Sequence, residues 1–276
     1  MSGRETPNQD RYFEMLAEMD VTKHLGSLEP TMQLANLYGL NQDSVLLDVG
    51  CGVGFTPCYL ARTFGCRIVG IDLYESMIER STARAKKEKL DHLLDFRIAD
   101  VQDLPFEDDT FDAVMAESVI AFVPDKALAL SECVRVTKPG GWVGFTESTW
   151  KQSPTPEMVA QTQQIMGENF ETLDVDGWRA LVEGAGLAEV VAELHDVDIR
   201  VEAKGRMQRI GCRNMMGTLV NFMRMLIRRP QYRDLYKEAL GDTKDLIGGW
   251  GYGVYAGRKG NRVHREGAKN AKSKET

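Results

Sequence analysis

The sequence predicts an α/β protein built on a mostly parallel sheet with helices on both faces. Three observations predict it. A short apolar run, Val45 to Val49, passes into glycines at alternate positions and then into a helical pattern. Three later apolar runs each end in an acid, at Asp72, Asp100 and Glu117. Strand and helix patterns alternate through this core, which implies parallel strands joined by right-handed crossovers.

Residues 1–44 read as an N-terminal helical segment. The first eight are polar and read as a loose end. From Asp10 to Met19, Tyr12, Phe13, Leu16 and Met19 fall at helical spacing. A second helix, Glu29 to Tyr38, carries Pro30 in its first turn and stops at Gly39. The first strand then runs from Val45 to Val49, interrupted only by Asp48. A buried carboxylate needs a partner, so Asp48 meets nearby backbone N–H groups or faces a cation. Gly50, Gly52 and Gly54 follow, and a helix opens at about Phe55 with Pro57 in its first turn. Glycines at such a turn let a ligand reach the backbone with no Cβ in the way.

A dinucleotide fingerprint would require glycine at position 55, which is Phe55. A pyrophosphate would also be repelled by Asp48. The ligand of this turn is expected to be cationic, with little or no phosphate. The second strand, Arg67 to Ile71, ends at Asp72, eighteen residues beyond Gly54 and about where a ribose-binding acid sits in a doubly wound sheet. A helix from Ser76 to about Lys89 follows, with Ser76 as its cap and Lys86, Lys87 and Lys89 favourable for its dipole. The third strand is Asp95 to Ala99, ending in Asp100. The fourth is Phe111 to Ala116, ending in Glu117. A helix from Ala127 to Val136 is stopped by Pro139-Gly140-Gly141, and the fifth strand, Trp142 to Thr146, ends at Glu147. Acids at the carboxyl ends of successive strands converge on one sheet edge, where ligands bind.

The ordered stretches LDVGCGVG, GIDLYESMIERS, IADVQDLPFEDDTFDAV and VTKPGGW resemble the motifs of the class I S-adenosylmethionine-dependent methyltransferases. The resemblance covers roughly residues 40–150, and its subtype is the small-molecule one, similar to the ubiquinone and menaquinone methyltransferases. It implies a Rossmann-like seven-stranded sheet and S-adenosyl-L-methionine as cofactor. It also implies roles: Gly50, Cys51 and Gly52 along the methionine part, with Asp48 at the acid position of that motif. Asp72 would accept from both ribose hydroxyls, and Leu73 and Met77 would pack on adenine. Asp100 would accept from the adenine amine, with Val101 on the ring, and Glu117 would lie beside the sulfonium. In related small-molecule enzymes the N-terminal segment covers the cofactor, which makes Tyr12 and the turn Lys23-His24-Leu25-Gly26 candidate lid residues. The competing reading of the acids is as helix caps and turn residues.

Beyond the motifs, Pro154 and Pro156 break the chain, Glu157 to Phe170 reads as a helix, and Asp176 to Gly184 as a shorter one. Leu187 to Val201 suits the sixth strand and Gly251 to Arg258 the seventh, which the family joins directly. Here about fifty residues intervene, so the methyltransferase domain, 45–258, is expected to hold a helical insertion at about 204–247. Residues 204–233 carry eight basic residues and no acid in a chain of net charge −7. As a helix they place Arg206, Arg209, Arg213 and Arg224 on one face and Met216, Leu219, Met223 and Leu226 on another. That pattern suits either a helix packed on the core or a lid whose Met-rich face meets an apolar acceptor. The arginines would then meet an anionic group or a membrane surface. Residues 259–276 read as a basic disordered tail.

Composition sets the remaining expectations. No run approaches 18 apolar residues and no signal sequence opens the chain, so a cytoplasmic protein is expected. Five cysteines without paired spacing and four scattered histidines predict no metal site. Outside the insertion and tail the chain is strongly acidic, and no Asn/Asp-Pro-Pro-Tyr/Phe tetrapeptide is present. Both argue against a nucleic-acid partner, though an RNA or protein methyltransferase and a non-catalytic cofactor-binding module are the rival readings. The acceptor is expected to be small and apolar, of isoprenoid, quinone or lipid-like kind. Methyl transfer from a sulfonium needs alignment more than acid–base chemistry, so no catalytic residue is assigned. Tyr12, His24, Glu117 and Glu147 are the candidate bases by position. The sequence leaves the oligomeric state open.

Overall fold

A computed structural model of the protein describes residues 26–197 and 249–261, together with residues 13, 223, 227 and 228. Seven strands form one sheet: β1 (Val45–Val49), β2 (Arg67–Asp72), β3 (Leu94–Ile98), β4 (Phe111–Glu117), β5 (Thr137–Trp150), β6 (Ala188–Asp196) and β7 (Trp250–Arg258). Their order is β3-β2-β1-β4-β5-β7-β6. The first five strands are parallel, and β7 lies antiparallel between β5 and β6. The order reverses between β1 and β4, which opens a crevice at the carboxyl end of β1.

Strand periodicity explains how both faces are covered. Leu46 and Leu47 are adjacent in β1 and therefore point to opposite faces, and both are fully buried. Leu46, Ile68, Met115 and Val254 pack under three helices, α1 (Glu29–Tyr38), α2 (Phe55–Phe64) and α3 (Glu75–Glu88). Leu47, Val114, Phe145 and Tyr255 pack under α4 (Lys126–Val136) and, after α5 (Pro156–Met166), α6 (Val175–Gly184). Trp178 of α6 is the largest fully buried side chain and meets Phe145 edge to face at 5.5 Å. Truncating such a residue typically costs about 3–5 kcal/mol.

Several boundaries differ from the sequence expectation. Strand β5 runs to Trp150 rather than stopping at Glu147, because β7 pairs with it continuously from Trp142↔Arg258 to Trp150↔Trp250. Ser76 does not cap α3; the cap position is Tyr74, with no side-chain cap bond. Helix α5 stops at Met166 because Gly167 adopts φ 108°. Strand β6 is described from Ala188 to Asp196, and residues 198–201 of the expected strand lie outside the described residues. Lys259, expected in the tail, belongs to the sheet's border. Its N–H donates to Gly141 O at 2.8 Å and its ammonium donates to Asp109 Oδ1 at 2.7 Å. The 10–19 helix, the 204–247 insertion and the tail beyond 261 lie outside the described residues, apart from the four positions named.

Candidate functional site

The three glycines at the end of β1 adopt left-handed conformations, with φ of 67°, 53° and 77° at Gly50, Gly52 and Gly54. Each serves a different need. A Cβ at Gly50 would collide with the Val119 side chain, and one at Gly54 would lie 2.7 Å from Ser81 Cβ. Gly54 therefore lets α2 and α3 approach closely. A Cβ at Gly52 would meet nothing within 4 Å, so this turn faces open space. The cysteine between them donates its backbone N–H to Ile71 O at 2.9 Å, which ties the turn to β2. Burial pushes the Cys51 thiol up, so it is a neutral small hydrophobe.

The acids predicted to converge do so on this edge. Asp48 is buried, and its Oδ2 has no hydrogen-bond partner. Burial, then the neighbouring Glu117 and Asp72 carboxylates, hold its acid well above the usual carboxylate range. Asp72 Oδ2 accepts from Gly52 N–H at 2.9 Å and Oδ1 from Tyr74 N–H at 3.1 Å. Burial raises its acid against the lowering effect of those N–H donors. The Leu73 N–H also bears on this carboxylate, whose two oxygens still keep lone-pair capacity. Leu73 beside it is half exposed, an apolar surface with one side open, whereas Met77 is buried against Val53 and Tyr74. Asp100 Oδ1 accepts from Gln102 N–H at 2.8 Å, and Val101 is buried in the core. The loop that follows is fastened by Arg135 of α4, which donates to Leu104 O at 3.0 Å and Phe106 O at 2.8 Å.

Glu117 stands between two hydroxyls that the sequence did not single out. Thr31 of α1 donates to its Oε1 at 2.6 Å and Thr56 of α2 donates to its Oε2 at 2.7 Å. Glu147 is turned away from solvent into the turn after β4, accepting from Ala121 N–H at 3.2 Å. Burial pushes its acid up to about 7, opposed by N–H groups of Ala121, Val119 and Ile120. Tyr12 and His24 lie outside the described residues.

Sequence reading also missed a row of rings beside the acids. Phe13 meets Tyr74, just past β2, at 5.3 Å and Phe122, just past β4, at 5.0 Å. Since β1 lies between those strands, Phe13 bridges the carboxyl end of β1. The row continues from Phe122 to Phe170 at 4.9 Å, to Trp250 at 6.3 Å and to Trp150 at 5.2 Å. The Trp250 indole N–H is buried without a partner. At the other end of the strands lies an open cleft of about 390 Å³, whose Lys138 and Asp112 pair with each other at 2.7 Å. It is remote from the glycine turn.

Comparison with known proteins agrees with this geometry. A family model described as a methyltransferase domain matches residues 47–145. Tocopherol O-methyltransferase of Arabidopsis thaliana is 42% identical over 135 residues, covering 48% of this chain and 39% of the relative. Methyltransferase GfsG of Streptomyces halstedii is 31% identical over 182 residues, covering 63% of each chain. Among solved structures, the [4+2]-cyclase SpnF superposes with a TM-score of 0.70 at 21% identity, covering 94% of this chain and all of its own. Phosphoethanolamine N-methyltransferase 2 of Haemonchus contortus, in complex with S-adenosyl-L-methionine, superposes at 0.69 with 18% identity, covering 92% of this chain and 57% of its own. Residues 47–145 thus match a methyltransferase-domain model, the whole sheet has the fold of these solved structures, and the S-adenosyl-L-methionine of the Haemonchus contortus enzyme's complex is the donor against which the site can be tested. The chain spans between 36% and 63% of the length of the first curated relatives it matches.

The residues present fit that donor. The orphaned Asp48 oxygen is placed for a cation rather than a phosphate, the open Gly52 leaves backbone accessible, and Asp72 has acceptor capacity for a diol. Among the described residues no three metal-ligating side chains cluster, and no helix is long and apolar enough to cross a membrane.

Proposed function

We propose that this chain transfers a methyl group from S-adenosylmethionine to a small acceptor with a flat or extended apolar body, of the quinone, isoprenoid or lipid-like kind. The single observation that carries the reading is continuity. The aromatic row from Tyr74 through Phe13 and Phe122 to Trp250 begins beside the glycine turn and leads away along the same edge. The tocopherol and geranyl diphosphate methyltransferases among its relatives and neighbours act on acceptors of that kind, while phosphoethanolamine enzymes also appear.

In this reading Gly50, Cys51 and Gly52 line the methionine part, and Asp48 meets its ammonium. Asp72 holds the ribose hydroxyls. Leu73 and Met77 flank the adenine on one side and Val101 on the other, with Asp100 accepting from its amine. The bound donor supplies an already activated methyl group, so the chain's residues supply alignment and exclusion of water. Glu117, braced by Thr31 and Thr56, holds negative charge near the sulfonium. Both its oxygens and the Glu147 carboxyl are engaged by other donors, which argues against either as a mobile base.

Incubating the protein with methyl-labelled donor and fractionated cell extract tests the reading. A labelled apolar product supports it. Labelled RNA or protein would replace it with a macromolecular methyltransferase, and donor binding without any labelled product would replace it with a binding module or an enzyme of other chemistry.

A further inference from the structure

Glu147 is a buried carboxyl with no place in the donor site. It sits near the end of β5, and its Oε1 accepts from Ala121 N–H at 3.2 Å. The N–H groups of Val119 and Ile120 also act on its charge, so consecutive backbone donors of one turn bear on one side chain, with Ala121 N–H in the direct hydrogen bond. The same turn is held from behind. Ala121 O accepts from Glu171 N–H at 2.8 Å, and Glu171 Oε2 pairs with the nearly buried Lys126 at 3.1 Å. Ser118, at φ 57°, enters the turn by donating its N–H to Thr146 O at 2.8 Å. A left-handed non-glycine residue there stores strain that needs surrounding bonds to hold it.

What the turn carries matters more than the turn. Val119 fills the space left by the missing Cβ of Gly50, at the donor cradle. Phe122, three residues on, joins Phe13 to Phe170 in the aromatic row. We infer that Glu147 is a positioning residue: by gathering the N–H groups of residues 119–121 it fixes the turn that sets Val119 against the donor cradle and Phe122 in the acceptor wall. The acceptor half rests on the proposed function. The donor half does not, so the test is read without turnover.

The experiment follows amide hydrogen exchange and S-adenosylhomocysteine affinity in the full chain, as wild type, Glu147→Ala and Glu147→Gln. The expected result for Glu147→Ala is exchange at least tenfold faster at Val119, Ile120 and Ala121, with amides of Leu46 and Leu47 within threefold. Its affinity for S-adenosylhomocysteine should fall several-fold. Glu147→Gln, which keeps an acceptor oxygen in place, should hold both readouts within about threefold of wild type. Uniformly faster exchange across the sheet in Glu147→Ala would overturn the inference in favour of a general structural role. Unchanged exchange in the turn would overturn it outright. If Glu147→Ala does not accumulate as folded protein, Glu147→Asp, retracted by one methylene, must show the same local loss or the inference falls. Absence of any methyl-transfer product would count against the proposed function and leave this result standing.

Discussion

Replacing Glu147 with glutamine should change how stability depends on pH, and by a calculable amount. The folded protein raises this acid to about 7, because burial outweighs the N–H groups that bond its charged form. An unfolded glutamate titrates at roughly 4.3. Between those values the folded state holds a proton that the unfolded state has released, so stability falls as pH rises through this window. The loss is complete above the folded value. Each tenfold change in an acid's ionisation constant on folding is worth about 1.4 kcal/mol, so between pH 5 and pH 8 wild type should lose about 2–3 kcal/mol that Glu147→Gln does not. Burial raises other acids too, Asp48 among them, and comparing the two proteins removes their shared contribution. Urea melts of both at four pH values between 5 and 8 supply the assay. Parallel stability curves would show that Glu147 ionises normally and that its buried bonds to the turn are wrongly placed. A gap that opens in the opposite direction would mean that the carboxylate is stabilised rather than penalised.

Two further outcomes are expected, one from the glycine turn and one from the sequence pattern of residues 204–233. Gly54→Ala forces a left-handed backbone on alanine and puts its Cβ 2.7 Å from Ser81 Cβ and 2.8 Å from Ser81 Cα, so the α2–α3 contact must open. Strain and overpacking together should cost roughly 2–5 kcal/mol, seen as a thermal midpoint lowered by several degrees. An unchanged midpoint would show that the helices are not in contact there. Serine at Met216, Leu219 and Met223 should reduce acceptor turnover while leaving donor affinity within a few-fold. Equal loss of both, in folded protein, would make the insertion part of the donor site.

The donor edge was legible in the sequence because its chemistry is local. Asp48, three glycines and Asp72 lie within 25 residues of one another, and each must sit at a strand end for reasons of backbone geometry. The same holds for β1, β2 and β4, whose apolar runs are largely buried, whereas β3 at the sheet edge leaves Ile98 exposed. What was not legible depends on partners far away in the chain. Thr31 and Thr56 meet Glu117 across 86 and 61 residues, and nothing in the pattern of either helix marks those hydroxyls. The aromatic row joins positions from 13 to 250, separate segments that only the closed sheet brings together. Strand β5 was read too short because its last residues, Ser148 to Trp150, look like a polar exit until β7 pairs with them. Ser76 was read as a cap from composition, but the chain enters α3 earlier, where Asp72 already binds the Tyr74 N–H.

The central claim is that S-adenosylmethionine binds at the carboxyl end of β1 and β2, with Asp72 on its ribose. Titration calorimetry of S-adenosylhomocysteine into wild type and Asp72→Ala tests it most directly. Removing hydrogen bonds to a charged group costs about 1.5–3 kcal/mol, so affinity should fall roughly 10- to 150-fold while circular dichroism shows the fold intact. Unchanged affinity in a folded Asp72→Ala protein, or tighter binding of NAD than of S-adenosylhomocysteine by wild type, would contradict the claim.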